Sequence, residues 1–378
     1  MQNELLNVMN DGQKKIKVAY VLGALNHGGL ENLTLDICRN ANEFECMCIY
    51  RNDGNLSSAF RDANIDMLHI PRKGSLLRYM WQLRKSINNQ QIDILHSQTA
   101  SNTLILGLCL IGCKKRIITT IHSFSFLNAS ELYKRFVLAV SEKILFVSNY
   151  QMNMYIQRCP SRLRKKCSVL YNGIDSTKFE RKYDIPDIYQ NAKGIIKLCV
   201  VGNIRKARTY EVIIEAMYRL RLEGIKNIGL YIVGNTPKEE QHLLNYYKNL
   251  CNKYGIDDVV HFVGGRNDVP AILQHSDIYI MSSIETFGIS IVEAMMSGVP
   301  VIVNDFDVMK EVTENGKLAM LYKTNGATDL ANKINKVVNN IDHYKNFALQ
   351  NASYVKNQYS IGVHKERLGR LYNHVIYM

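Results

Sequence analysis

Two glutamates eight positions apart, Glu285 and Glu293, flank a segment whose pattern is suited to a phosphorylated ligand. The apolar residues before Glu285 predict a buried strand, and those around Glu293 predict a short helix. The start of such a helix offers free backbone N–H groups and the positive end of a helix dipole, which together bind a diphosphate. We expect five residues to supply these groups: Thr286, Phe287, Gly288, Ile289 and Ser290. Because the two carboxylates could bind hydroxyls at opposite ends of one ligand, the segment indicates a sugar nucleotide.

A second cluster of residues suited to phosphate follows the predicted strand 196–201. The short loop after that strand carries Arg205, Lys206 and Arg208. A nucleoside diphosphate gains negative charge when its bond to a sugar breaks, and fixed cations would stabilise that charge. Arginine also binds phosphate through two parallel hydrogen bonds, whereas lysine acts as a point charge. The same residues could instead form a solvated basic turn.

The first half of the chain contains two further candidates, each after a predicted strand. Gly28 and Gly29 precede a predicted helix with Glu31 in its first turn, and glycine lets the backbone approach a ligand closely. A dinucleotide-binding loop would require G-x-G-x-x-G here, and this loop lacks it. His122 follows the apolar run 117–121, at the sheet edge where ligands of doubly wound sheets bind. A glycine turn that caps a helix and a structural histidine remain open alternatives.

The elements that would position these residues alternate between short β-rich runs and amphipathic helical stretches, as in parallel sheets covered by helices. The predicted strands are 16–22, 45–50, 66–70, 92–96, 116–121 and 143–147 in the first half, and 196–201, 229–233, 259–263, 277–281 and 300–303 in the second. A chain of 378 residues exceeds what one core usually supports. We therefore predict an α/β protein with two Rossmann-like doubly wound domains, residues 1–180 and 195–358, joined by a linker at 181–194. Residues 359–378 predict a C-terminal helix.

The pattern around the two glutamates, S-x-x-E-T-F-G-I-S-I-V-E-A-M-x-S-G-V-P-V-I, resembles the retaining glycosyltransferases of family 4. The resemblance covers nearly the whole chain and is densest over residues 195–321. It implies the GT-B fold, in which two Rossmann-like domains face a cleft, and it implies that the last helix packs back on the N-terminal domain. An ordinary αβ unit with solvated glutamates is the alternative interpretation.

The resemblance also implies roles for individual residues. Glu293 would bind the ribose hydroxyls, and Glu285 the hydroxyls of the transferred sugar. His122, in a T-x-H like that of the family, would lie near this sugar, and the loop at 28–31 would close over the donor phosphates and the acceptor. The segment F-V-G-G-R-N-D-V resembles the family's loop beneath the nucleotide base, where the candidates are Arg266, Asn267 and Val269.

The basic loop departs from the family pattern G-R-L-x-x-x-K-G at three positions. Asn203 stands where arginine is usual, Arg208 where lysine is usual, and Thr209 where glycine is usual. We expect Arg208 to take the role of the lysine and Arg205 to compensate for Asn203.

The resemblance implies transfer of a sugar from a nucleoside-diphosphate sugar, with retention of configuration and without a metal or other cofactor. UDP and GDP sugars are the favoured donors. A lipid-linked acceptor or a growing surface polysaccharide (capsule, O-antigen or exopolysaccharide) is the favoured acceptor. A catalytically silent nucleotide-sugar-binding subunit and a GT-B sugar-nucleotide epimerase remain alternatives, whereas a nicotinamide oxidoreductase would need the missing glycine fingerprint.

Composition bears on location and partners. The net charge of +13 is uneven, with +9 in residues 1–180 and +4 in the remainder, which favours an anionic partner for the first half. A predicted helix near 76–87, with cations around Trp81, could lie on an anionic membrane surface or equally well face the cytosol. No nucleic-acid-binding motif is present, so nucleic acid is not an expected partner. Nine cysteines without a pairing pattern, and no apolar signal segment in the first 17 residues, indicate a cytoplasmic protein that could be peripheral to the membrane.

Overall fold

The computed structural model describes residues 15–26, 28–39, 41–157 and 159–377. The segment 1–14, in which no signal sequence is predicted, lies outside these residues. The chain divides into two compact units. The N-terminal unit contains the described residues up to Val147, Gln151–Gly173 and the segment from Ile361 onward. The C-terminal unit contains Ser148–Tyr150 and Ile174–Ser360.

The N-terminal unit is built on a seven-stranded sheet in which neighbouring strands are parallel. Its strands are β1 (Lys17–Ala24), β2 (Glu45–Asn52), β3 (Asp66–His69), β4 (Ile94–Ser97), β5 (Arg116–Ile121), β6 (Lys143–Phe146) and β7 (Cys167–Val169). The helices between them are α1 (Gly29–Cys38), α2 (Ser57–Asp62), α3 (Leu76–Asn88), α4 (Ala100–Cys109), α5 (Glu131–Val140), α6 (Asn149–Ile156) and α7 (Ser161–Arg164). The first two residues of α6 are grouped with the C-terminal unit. The strand order is β3-β2-β1-β4-β5-β6-β7. Because the order reverses between β1 and β4, their carboxyl ends flank a topological switch point, where ligands of such sheets bind.

The C-terminal unit repeats this architecture with a six-stranded parallel sheet. Its strands are β8 (Ile196–Val201), β9 (Ile228–Val233), β10 (Val260–Gly264), β11 (Ile278–Met281), β12 (Val301–Asn304) and β13 (Met320–Tyr322). Its helices are α8 (Tyr210–Leu222), α9 (Gln241–Tyr254), α10 (Val269–Gln274), α11 (Ile289–Met296), α12 (Asp307–Val312), α13 (Ala327–Val338) and α14 (Ile341–Tyr359). The order β10-β9-β8-β11-β12-β13 places the switch point between β8 and β11.

Helices on both faces explain the continuous apolar runs of these strands. β9, with the sequence IGLYIV, is buried at all six positions, as expected for a parallel strand covered on both sides. The final helix, α15 (Ile361–Tyr377), contributes Leu368 and Tyr372 to the core of the N-terminal unit. The Tyr372 hydroxyl lies 2.7 Å from that of Tyr20 on β1 and 2.6 Å from His96 Nδ1 on β4. This buried network attaches the last helix to the first sheet.

The structure differs from the sequence prediction in two respects. The strands β7 and β13 were not predicted, because each has only three residues and lies at a sheet edge, so neither gives a periodic signal. Residues 181–194, the predicted linker, belong to the C-terminal unit. Within them Tyr189 is buried, and its hydroxyl lies 2.9 Å from Ser276 Oγ. The division between the units falls after Gly173.

Helix α3 is the segment that the sequence suggested for a membrane surface. It buries Tyr79, Leu83 and Ile87 and leaves Leu77 and Trp81 exposed. None of the helices in the described part of the chain combines the length and the apolar content needed to cross a bilayer.

Candidate functional site

The loops that follow β8 and β11 bring Arg208 and Glu285 into contact at the switch point of the C-terminal sheet. Arg208 Nη2 lies 3.1 Å from Glu285 Oε1. The same oxygen accepts a hydrogen bond of 3.1 Å from the Ser283 hydroxyl. The charged side chains are 22% and 28% exposed, so the ion pair is partly desolvated. A cation and a carboxylate therefore lie together at the edge where ligands of this fold bind.

The Arg208 guanidinium occupies the space that a side chain at Gly202 would take. A methyl group added at Gly202 would lie 2.1 Å from Arg208 Nη1, so any larger residue would displace the guanidinium. Nη1 also lies 3.5 Å from the Val201 carbonyl and 4.0 Å from the Met281 sulfur, and both contacts are long. Because a guanidinium carries five N–H donors, Arg208 retains donors for an anionic ligand.

Side chains from two neighbouring strand ends hold the loop that leads to Glu285. Asn304, the last residue of β12, donates from Nδ2 to the carbonyls of Ser282 (2.8 Å) and Ser283 (3.0 Å). The Thr209 hydroxyl, from the loop after β8, donates to the Ser282 carbonyl at 2.9 Å. Thr209, which replaces the glycine of the family pattern, thus ties the basic loop to the glutamate loop.

Helix α11 begins directly after Gly288, whose φ of +86° is a left-handed conformation that glycine adopts without strain. Ile289 and Ser290 form its first turn, in which N–H groups have no carbonyl partner within the helix. The Ser290 hydroxyl accepts a 2.7 Å hydrogen bond from Tyr279 on β11. Burial raises the pKa of the Tyr279 phenol, so this group stays protonated and donates. The helix start is therefore held by the adjacent strand.

The remaining candidates on this segment differ in how they are placed. Phe287 is buried, with its ring centroid 5.6 Å from that of Tyr359, so its side chain belongs to the core and its backbone is the part suited to a ligand. Glu293 lies in the second turn of α11 and is half-buried. Its predicted contact with ribose stays a prediction.

Asn203 and Arg205 have different surroundings within the basic loop. Asn203 Oδ1 accepts a 3.1 Å hydrogen bond from the Asn235 N–H, and Asn235 Oδ1 accepts one of 3.1 Å from the Gly265 N–H. These bonds connect the loops after β8, β9 and β10. Arg205 is exposed, and its carbonyl accepts a hydrogen bond of 2.9 Å from the Arg208 N–H. Asn203 therefore has a structural role, and the use of Arg205 at phosphate stays a prediction.

Arg266, predicted beneath the nucleotide base, forms ion pairs within the C-terminal unit. Its Nε and Nη2 lie 2.8 Å and 2.7 Å from the two carboxylate oxygens of Asp268, and Nη2 lies 2.6 Å from Asp187 Oδ1. The hydrogen bonds from Arg266 lower the pKa of both carboxyl groups. Asn267 is exposed, and Val269 begins α10. A ligand at this loop would therefore meet Asn267 and the backbone more readily than the Arg266 side chain.

In the N-terminal unit, the glycine pair forms the start of a helix. Gly28 is the N-cap of α1 and Gly29 its first residue. A methyl group at Gly28 would lie 2.5 Å from Glu31 Oε2, so the absence of a side chain lets the carboxylate fold back over the helix start. Burial raises the pKa of the Glu31 carboxyl group. This geometry agrees with the capping alternative, and contact with an acceptor stays a prediction.

His122 lies just after β5 and is oriented by Gln98, just after β4. Its Nε2 lies 2.8 Å from Gln98 Oε1. Since that oxygen can only accept, Nε2 carries the proton of the neutral ring. Burial and, to a lesser extent, the charge of His364 lower the pKa of His122 to about 3. A ring that is neutral at pH 7 suits the positioning of hydroxyl groups better than the stabilisation of negative charge.

Three residues that build these sites were not singled out from the sequence: Gln98, Ser283 and Asn304. Each is a polar residue at or just beyond the end of an apolar strand, which is the position that ligands and ligand-bearing loops share in parallel sheets. That position is the signal that could have identified them.

Comparison with protein families identifies the class to which this fold and site belong. Residues 182–353 match the model for glycosyl transferases group 1, and residues 27–178 match the model for glycosyltransferase family 4. Between them the two models cover most of the chain. The chain therefore belongs to the group 1 and family 4 glycosyltransferases, which confirms the resemblance seen in its sequence. It is a glycosyltransferase.

Individual relatives agree with this assignment. The O-antigen biosynthesis glycosyltransferase WclY of Escherichia coli is 24% identical over 79% of this chain and 82% of its own length. The E. coli enzyme UDP-Gal:α-D-GlcNAc-diphosphoundecaprenol α-1,3-galactosyltransferase is 24% identical over 87% of this chain and 89% of its own length.

A solved structure shows the fold. HepE of Anabaena, crystallised with UDP and glucose, superposes with a TM-score of 0.84 at 18% identity, covering 94% of this chain and 99% of HepE. The predicted GT-B fold is thereby confirmed.

Proposed function

We propose that the protein transfers a sugar from a nucleoside-diphosphate sugar to an acceptor hydroxyl with retention of anomeric configuration. The contact between Arg208 and Glu285 carries the proposal. Arginine suits a diphosphate and glutamate suits the hydroxyls of a sugar, so the two adjacent groups match the junction between phosphate and sugar in such a donor.

In this proposal the C-terminal unit binds the donor. Glu293 accepts hydrogen bonds from the ribose hydroxyls, and Asn267 with its neighbouring backbone lies against the base. The first turn of α11, with Arg208 and the exposed Arg205, holds the diphosphate. Glu285 holds hydroxyls of the transferred sugar and thereby orients its anomeric carbon.

The proposed reaction is an attack on the face from which the diphosphate departs. The bond between the anomeric carbon and the phosphate oxygen breaks as the bond to the acceptor oxygen forms. Negative charge develops on the departing phosphate oxygen as the bond breaks, and this oxygen then takes the proton of the acceptor hydroxyl. Arg208 and the α11 N–H groups stabilise this charge, so the proposal requires no metal, and turnover should persist in the presence of a chelator.

For the acceptor we propose a lipid-linked glycan or a growing surface polysaccharide. Support comes from the relatives, since one is named for O-antigen biosynthesis and another for a diphosphoundecaprenol-linked sugar. The net charge of +9 in residues 1–180 is suited to an acceptor that carries a diphosphate. In this setting Gly28, Gly29, Glu31 and His122 would contribute to the acceptor side.

We further propose that α3 attaches the protein to the anionic cytoplasmic face of a membrane. Leu77 and Trp81 are 78% and 61% exposed, and Lys85 Nζ lies 5.3 Å from the centroid of the Trp81 ring. Exposed apolar groups beside cations are typical of helices that lie in the membrane interface.

This attachment predicts co-sedimentation with liposomes that contain anionic lipid, weaker at high salt because the charges are screened. Trp81→Ala should reduce the bound fraction several-fold. Leu222→Ala, which changes an equally exposed residue on α8, should not. Absence of binding at low salt would instead favour a cytosol-facing α3 and a water-soluble acceptor.

The donor is tested by thermal unfolding against UDP, GDP, ADP, CDP and their sugar conjugates, with chelator present. A ligand at a hundred times its dissociation constant adds about 2.7 kcal/mol of stability, which corresponds to a shift of a few degrees.

With the donor known, Glu285→Ala should reduce transfer to a lipid-linked acceptor at least ~100-fold through lost positioning. Glu215→Ala, at a carboxylate on α8, is the control. Wild-type turnover by the Glu285 variant would remove this residue from the active site.

The same assays separate the alternatives. Donor binding without transfer or hydrolysis would indicate a silent nucleotide-sugar-binding subunit. Conversion of the donor to an isomer without any acceptor would indicate an epimerase.

A further inference from the structure

We infer that Glu285 competes with the diphosphate of the ligand for Arg208, and thereby promotes release of the nucleoside diphosphate after transfer. The inference rests on the proposed function, because it gives the donor site a second property. In this inference Glu285 acts on two steps. It favours transfer of the sugar, and it weakens binding of the nucleoside diphosphate product.

The contacts of Arg208 are the first step of the argument. Within the described part of the chain, its close contact with a charged group is the 3.1 Å ion pair with Glu285. The contacts of Nη1 with the Val201 carbonyl and the Met281 sulfur, at 3.5 Å and 4.0 Å, are too long to hold the guanidinium strongly. Glu285 is therefore the group that a phosphate must displace or share.

The contacts of Glu285 are the second step. Oε1 faces both Arg208 Nη2 and the Ser283 hydroxyl, each at 3.1 Å. The carbonyls of Ser282 and Ser283 are fixed in turn by Asn304 Nδ2. Since the loop is held in this way, the carboxylate lies close to Arg208 and would lie near any phosphate that Arg208 binds.

Electrostatics then gives the direction of the effect. A carboxylate beside a phosphate repels it and neutralises the cation that would bind it. While a sugar is attached to the diphosphate, its hydroxyls donate to Glu285 and offset this repulsion. After transfer the sugar leaves with the acceptor, and Glu285 returns to Arg208. The site therefore binds the nucleoside diphosphate product more weakly than its cations alone would allow.

The test measures binding of UDP and of inorganic pyrophosphate by titration calorimetry, with GDP in place of UDP if the thermal screen selects it. Glu285→Gln keeps the shape of the side chain and removes its charge. We expect it to bind both ligands more tightly, on the order of threefold, as for loss of competition from a partly exposed ion pair. Glu285→Ala, a second variant with no carboxylate, should also bind them more tightly.

Two matched glutamate variants serve as controls. Glu215→Gln removes a carboxylate whose Oε1 lies 2.6 Å from Arg219 Nη2 on α8, and it should leave both affinities unchanged. Glu293→Gln removes the carboxylate proposed to bind ribose, so it should weaken binding of UDP. The two site glutamates would then shift UDP affinity in opposite directions.

A double-mutant cycle with Arg208→Gln isolates the pair. If Glu285 acts through Arg208, adding Glu285→Gln to the Arg208 variant should give clearly less tightening than it gives in the wild type. Equal tightening in both backgrounds would overturn the inference, because it would indicate general charge repulsion. Unchanged or weaker binding in Glu285→Gln would overturn it as well. A wild-type protein that binds no nucleoside diphosphate would overturn the proposed function itself, which is a distinct result.

Discussion

Among single residues, Gly202 has the most direct consequence for the candidate site, because the Arg208 guanidinium occupies the space of its missing side chain. Gly202→Ala would place a methyl group 2.1 Å from Nη1, and the guanidinium would have to move. We expect the variant to fold and to lose nucleoside-diphosphate affinity on the order of tenfold, as for loss of a hydrogen bond to a charged group.

Calorimetric titration of Gly202→Ala, alone and combined with Arg208→Gln, checks this prediction. If the effect acts through Arg208, the combined variant should bind no more weakly than Arg208→Gln alone. A further loss in the combined variant would indicate that Gly202 serves the loop in another way.

At the scale of elements, a buried hydroxyl contributes to the attachment of α15. The Tyr372 hydroxyl contacts Tyr20 at 2.7 Å and His96 Nδ1 at 2.6 Å, and all three residues are buried. Tyr372→Phe would leave two buried polar groups without this partner, so we expect a loss of about 1–3 kcal/mol of unfolding free energy. Chemical denaturation measures the change, and Tyr377→Phe, at an exposed position in the same helix, should be neutral. Equal stability of the two variants would contradict the role of the network.

At the scale of the whole molecule, the N-terminal unit contains three histidines that burial keeps neutral. Burial is the main cause that lowers the pKa of His96 and His122 to about 3 and that of His364 to about 4. In the unfolded chain each titrates near ~6.5. Below pH ~6.5 the unfolded state binds protons that the folded state excludes. The unfolding free energy is therefore unaffected by these histidines above pH ~6.5, and it falls as the pH decreases towards their pKa values in the folded state.

Each of these histidines should lower the unfolding free energy by up to about 1.4 kcal/mol per pH unit in that window. Denaturation between pH 7.5 and 4.5 measures the slope. His96→Gln should flatten it, whereas His374→Gln, at an exposed position in α15, should not. If the slope of unfolding free energy against pH is unchanged in His96→Gln, the pKa of His96 is not lowered in the folded protein.

Much of the fold and part of the site could be predicted from local patterns. Apolar runs such as β9 identify buried parallel strands, and the segment from Glu285 to Glu293 indicates an anion-binding helix start, because both signals lie within a few consecutive residues. The three-residue edge strands β7 and β13 carry too little periodicity to be recognised. The prediction that Arg266 lies beneath the nucleotide base was limited in a similar way. Nothing adjacent to Arg266 in the sequence indicates its ion pair with Asp187, 79 positions away.

By itself the sequence determined the two-domain α/β class, the family and the segments that carry the candidate site, because residue types and their spacing are local properties of the chain. The tertiary structure decided which of these groups meet. Only the folded chain pairs Arg208 with Glu285, orients His122 through Gln98 and joins Tyr372 to Tyr20 across 352 positions. The physical reason is that parallel sheets gather distant strand ends at one edge, and the resulting contacts depend on burial and distance rather than on order along the chain.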